Sequence, residues 1–255
     1  MFTILKYTLQ QRRVRQGFKG QLFILLAAAV GLGANLLRSP EVVVEGAHAY
    51  VFQAMLLIVQ LVVLAVTHMV WTKSLREPLV NGRMAAVMLL PVSRTQVALG
   101  TFMGGLILGF ASWFAMVAVA LLIPVVYAWV TSTALVPLGF ALRIVWGQSL
   151  ALLTLLCLQF ALAAELSYKA SWRLLGHLVP MAFVALALVS QLFSPLRWLR
   201  FFTPVTLTAG EGILTEFPTV TRTVVQLLLA LYLVFRARKR FARRNIRPVL
   251  DETTA

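Results

Sequence analysis

Six apolar stretches, each bracketed by charged residues, fill most of this 255-residue chain and leave it one solvent in which to fold, the interior of a lipid bilayer. Roughly 20 helical residues cross the ~30 Å hydrocarbon core. By that ruler the stretches are residues 21–37, 50–71, 97–126, 144–164, 177–193 and 218–235. Their apolar runs are continuous and do not alternate with polar residues at every second position, so helices are expected in place of a closed barrel. The first and fifth are short, at 17 residues each, and the third is long enough to tilt or to kink at Pro124. Hydrophobic residues make up 60% of the chain and charged ones 12%. An ordinary soluble domain has roughly 45–50% and about 25%, so a soluble enzyme is excluded. The expected fold is all-α, a polytopic membrane protein with six transmembrane helices.

Charge sets the expected orientation. Eighteen of the 23 Lys and Arg residues fall before the first stretch, between the second and third, between the fourth and fifth, and after the sixth. The remaining five, Arg38, Arg143, Arg197, Arg200 and Arg222, belong to the opposite side. Positive residues stay inside, which places both termini in the cytoplasm, a parity that six spans satisfy. The net charge of +15 is therefore read as topology and attraction to anionic membrane lipids, and no nucleic-acid partner is expected. Three parts follow: a basic segment over residues 1–20, a transmembrane domain over 21–235 with a cytoplasmic loop at 72–96 and an external loop at 194–217, and a basic tail over 236–255. In the first part Phe2, Leu5 and Leu9 have helical spacing, which fits either an amphipathic helix lying in the interface or a plain orientation signal. The Ala27–Ala29 run lies inside the first apolar stretch, so a cleavable signal peptide is not expected.

Polar groups inside spans mark pathways or seams, because exposing them to lipid is costly. Gln53, Gln60, Gln148, Gln159, Gln191 and Gln226 are the candidates, sparse and uncharged. Arg143 and Glu165 flank the fourth span about 33 Å apart at 1.5 Å per residue, so each is expected to reach its own interface. Gly100, Gly104, Gly105 and Gly109 form small-residue pairs at i, i+4, suited to close helix packing within one protomer or across a dimer. His48, His68 and His177 have no metal-ligand spacing, and Cys157 is the sole cysteine, so neither a metal nor an intrachain disulfide is expected. There is no HExxH, GxSxG or G-x-x-x-x-G-K-[ST] motif, so the chain is not expected to be an enzyme or to bind nucleotide.

The loop after the second span, TKSLREPLVNGRMAAVMLLPVSRTQVALG, places Glu77, Gly82 and Arg83 before an apolar run, residues 84–90, too short to cross a membrane. Pro91 then breaks the chain and Ser93 can cap the helix that follows. A short helix along the cytoplasmic face is expected. At Glu77, Gly82, Arg83, Leu90, Pro91, Val92, Ser93, Arg94 and Gly100 the chain resembles the permease subunits of type-2 ABC exporters, although Thr101 stands where that family often has Lys. The resemblance implies that this segment is a coupling helix resting on a separate ABC ATPase subunit, which holds the ATP and Mg that this chain does not. It also implies short helices dipping into the outer leaflet near Pro195, Trp198, Phe201, Phe202 and Pro204, a second permease copy or paralogue as partner, and a bacterial inner membrane location. The function implied is export of an amphipathic or lipid-like substrate by alternating access. A non-transporting membrane scaffold that recruits a cytoplasmic partner is the alternative, and an ATP-independent carrier or channel a third reading.

Overall fold

The structure, a computed structural model, describes residues 47–81, 93–131, 138–166, 172–192 and 220–243. The basic segment 1–20, the apolar stretch 21–37, the short helix expected at 84–90, the external loop 194–217 and the end of the basic tail lie outside the described residues. Helix α1 spans Ala47–Trp71 and passes through a π-helical turn, Thr72–Arg76, into the single turn α2, Glu77–Val80. There follow α3 (Arg94–Thr131), α4 (Leu138–Leu166), α5 (Trp172–Leu192) and α6 (Val220–Arg243). Among the described residues only Asn81 and Ser93 lie outside a helix. Three segments, Leu56–Leu79, Arg94–Leu122 and Ile144–Leu166, are long and apolar enough to cross a membrane.

The helices run further than hydropathy alone indicates, α4 from Leu138, α5 from Trp172 and α6 as far as Arg243. The chain stays helical beyond Trp71 as far as Val80, with Leu75 and Leu79 buried. The hydroxyls of Thr72 and Ser74 donate to the carbonyls of His68 (2.8 Å) and Val70 (2.7 Å), holding carbonyls that the wider turn displaces from the α ladder. The Glu77 N–H closes the π turn onto the Thr72 carbonyl. Helix α3 continues through Pro124 to Thr131, and its 38 residues make a rod about 57 Å long.

Contacts between side chains fix the direction of each helix. Along α1 and α3, Gly109 faces Thr67 and Gly105 faces Trp71, so these two run antiparallel. Between α1 and α4 the polar pairs Gln60–Gln148 and Thr67–Gln159 ascend together, so these two run parallel. The pair Glu165–Arg236 joins the ends of α4 and α6, which share a direction, and Gln159 reaches Gly176 near the start of α5. The helices thus alternate in direction along the chain, as a bundle of successive crossings requires.

Helix α4 is the centre, packed on α1, α3, α5 and α6. Lipid tails are as apolar as leucine, so close backbone approach and interhelical hydrogen bonds must supply what the hydrophobic effect supplies in water. Gly105 is such an approach: a Cβ there would collide with the Trp71 indole, lying 2.6 Å from its Cε2. At Gly109 the space is tight but open, with Leu156 and Thr67 methyls each 3.1 Å from a notional Cβ. Gly100 and Gly104 are also buried. Trp71 in turn stacks at a tilt on Phe160, centroids 5.7 Å apart, and Phe160 on Phe102 at 4.8 Å. Outward, α3 presents Ile107, Phe114, Leu122, Val125 and Trp129, an apolar surface of the kind that acyl chains solvate.

Candidate functional site

Two groups of polar residues stand out, a ladder inside the bundle and a charged end. The ladder begins at Gln60, whose Nε2 donates to Gln148 Oε1 (2.7 Å) and to the Gln148 carbonyl (2.9 Å). Its own Oε1 is buried and accepts no hydrogen bond among the described residues. About two turns along α1, Thr67 Oγ1 lies 2.8 Å from Gln159 Oε1 and donates into the same cluster. Gln159 Nε2 donates to two carbonyls on other helices, Leu64 of α1 (3.0 Å) and Gly176 of α5 (3.1 Å).

The bond to Gly176 has a local cause. Pro180 lies inside α5 and has no N–H, so the carbonyl four residues before it loses its helical partner. That carbonyl belongs to Gly176, and the Gln159 amide supplies the missing donor. A proline in a lipid-solvated helix is tolerated when a neighbouring helix satisfies the freed backbone group. Gln60, Gln148 and Gln159 are thus engaged between helices of one chain. Gln226 is buried on α6, while Gln53 and Gln191 lie on α1 and α5 with their side chains outside the described residues.

The charged end gathers the last turns of α1, α4 and α6 with the first turns of α3 and α5. Lys73, Arg76 and Glu77 follow Trp71, Arg94 opens α3, Glu165 closes α4, and Arg236, Arg238, Lys239, Arg240 and Arg243 occupy the last turns of α6. Glu77 and Arg94 are both exposed. Ser93 and Gln96 cap α3 reciprocally: the Gln96 N–H donates to Ser93 Oγ (3.2 Å) and the Ser93 N–H to Gln96 Oε1 (2.9 Å). This is a capping box of the S-x-x-Q form, and the Val97 N–H to Ser93 carbonyl bond (3.1 Å) starts the ladder behind it. Gly82, Arg83, Leu90 and Pro91 lie outside the described residues.

One pair at this end escaped the sequence reading. Glu165 accepts from Arg236, with Nε and a terminal guanidinium nitrogen each 3.0 Å from Oε1, a partner that its expected place at one end of the fourth span does not name. Both cluster at one end because α4 and α6 run parallel; the charge-based orientation places both on one side, and the structure adds their contact. Glu165, and to a lesser degree the Tyr232 hydroxyl, push the Arg236 pKa above its ordinary value. The guanidinium is therefore charged at any accessible pH. Among the described residues no group of three or more His, Cys, Asp or Glu side chains could hold a metal. No protein-family model matches the chain, and no curated protein matches it.

Proposed function

We propose that this chain is the membrane-spanning permease subunit of an ATP-driven exporter of the type-2 ABC class, a six-span half-transporter that works beside a second copy or a paralogue. The apolar stretch 21–37 supplies its first crossing, and the charged end of the bundle faces the cytoplasm in accord with the positive-inside rule. A separate ATPase binds that face. Substrate, an amphipathic or lipid-like molecule such as a peptide, antibiotic or lipid, moves outward as ATP-driven closure alternates the access of the path between permeases.

The observation that carries this reading is the joint at Ser93. The Leu-Pro-Val-Ser-Arg run that resembles the coupling segment ends in a closed capping box, and behind it stands a 38-residue continuous helix. Displacement applied to the loop is delivered to a firm helix end and from there along a rod that packs on α1 and α6. A helix with a frayed first turn would absorb the same displacement. Switching also needs helices with two packings that nucleotide can bias, and α3 is the element placed to carry that bias.

The test is purification of the tagged chain in mild detergent with whatever accompanies it. A stoichiometric ATPase is expected, together with loss of transport-coupled ATP hydrolysis in Glu77→Ala and Arg94→Ala at unchanged membrane insertion. A chain recovered alone or with partners lacking ATPase activity would favour the scaffold reading. Normal coupling in both variants would remove these two residues from the mechanism.

A further inference from the structure

Helix α6 is held to the bundle by a narrow seam. Gln226, Ala230, Ala237 and Phe241 are its buried positions, spaced by four, seven and four residues. The opposite face carries a second pattern. Leu228, Leu231 and Phe235 stand exposed at helical spacing, and the same stripe continues without a break into Arg238. Lys239 and Arg243 stand beside it and Arg240 further round toward the seam, all exposed, and among the described residues none of these four cations pairs with a carboxylate.

The length of the apolar part is informative. From Val224 to Phe235 the helix rises about 17 Å at 1.5 Å per residue, close to half of the ~30 Å hydrocarbon core. One face of one helix therefore offers a single leaflet's depth of apolar surface that ends at Arg238, Lys239 and Arg243. Arg236, at the boundary, is fixed by Glu165 and Tyr232, and Phe241 is buried one turn beyond. The cationic turns are thus docked on the bundle and do not splay freely. An acidic protein surface would need the cations alone. The apolar approach at this depth has its complement in a molecule that joins acyl chains to a phosphate.

We infer that the outer face of α6 binds an anionic phospholipid, its acyl chains along Leu228, Leu231 and Phe235 and its phosphate among Arg238, Lys239 and Arg243. The inference requires only that the chain spans a bilayer, and it stands or falls separately from the exporter reading.

The experiment uses the full chain in bilayers of equal phosphatidylglycerol and phosphatidylcholine, extracted in mild detergent and weighed by native mass spectrometry. Each cation near an anionic surface contributes on the order of a fivefold preference. Retained phosphatidylglycerol is expected to exceed phosphatidylcholine by about tenfold or more, since three cations share one headgroup. The ratio should fall toward one when Arg238, Lys239 and Arg243 are all replaced by Gln. If that variant fails to insert, the unaltered chain still decides the matter, because soluble glycerol phosphate at the same concentration should leave the bound lipid in place. Equal retention of the two lipids overturns the inference. Displacement by glycerol phosphate, which would make this a phosphate site without an acyl component, overturns it as well, and so does displacement by an equimolar poly-glutamate peptide.

Discussion

Gln159 does more than any other single side chain to tie the bundle together. It sits on α4, accepts from Thr67, and donates to backbone carbonyls of α1 and α5. Interhelical hydrogen bonds in membranes average about 0.6 kcal/mol and reach about 1.7. Here the Gly176 carbonyl adds the cost of a buried acceptor with no other donor, about 1–3 kcal/mol when orphaned. Gln159→Leu is therefore expected to destabilise the detergent-solubilised chain by about 2 kcal/mol, read as a shift in the unfolding midpoint. Pro180→Ala restores an N–H to the Gly176 carbonyl, so the Gln159→Leu penalty should shrink by about half in that background. Equal penalties in both backgrounds would show that the Gly176 bond contributes nothing. The sequence made Gln159 conspicuous as a polar residue in a span but not what it bonds to, because its partners are main-chain carbonyls with no sequence signature. Pro180 and Gly176 were the available signal: a proline whose i−4 carbonyl needs a donor from elsewhere.

At the level of the helix, hydropathy located a helix at each of the second to sixth apolar stretches, apart from one or two terminal residues at most, and among the described residues three segments, in α1–α2, α3 and α4, are long and apolar enough to cross a membrane. The S-x-x-Q cap at Ser93 was half legible, Ser93 being read as a cap and its reciprocal partner Gln96 not. What hydropathy missed is the run from Thr72 to Val80, where charged residues ended the apolar count while Thr and Ser hydroxyls kept the backbone helical. The glycines of α3 were visible as small residues but not by role. Gly105 proves to be the point where the Trp71 indole crosses, and Gly109 a looser contact with methyl groups. Gly105→Ala should therefore cost more stability than Gly109→Ala, by about 1–3 kcal/mol of overpacking, since an indole ring cannot give way as a leucine methyl does. Thermal unfolding of the two variants checks the order, and the reverse order would contradict the packing of α1 on α3.

For the molecule as a whole, alternating helix directions imply a definite sidedness. Asn81 and Arg243 should share one face of the membrane and Trp129, at the far end of α3, should lie on the other. Cysteines placed at these three exposed positions report this directly, because the native Cys157 is buried and contributes little background. A membrane-impermeant maleimide is expected to label Asn81→Cys and Arg243→Cys only in inside-out vesicles and Trp129→Cys only in right-side-out ones. Labelling of Asn81→Cys and Arg243→Cys from opposite sides would break the bundle order. The π turn has a consequence for how such a chain tolerates change in length. Closing a turn with five residues where four suffice stores one surplus residue in the helix, and that surplus is what brings Leu75 and Leu79, in place of Ser74 and Pro78, round to the face Trp71 occupies. Loss of a single residue between Thr72 and Arg76 would leave composition, charge and hydropathy almost untouched. It would nonetheless turn α2 by about 100° and point Leu79 away from the bundle. The reading frame of this helix is therefore counted in single residues.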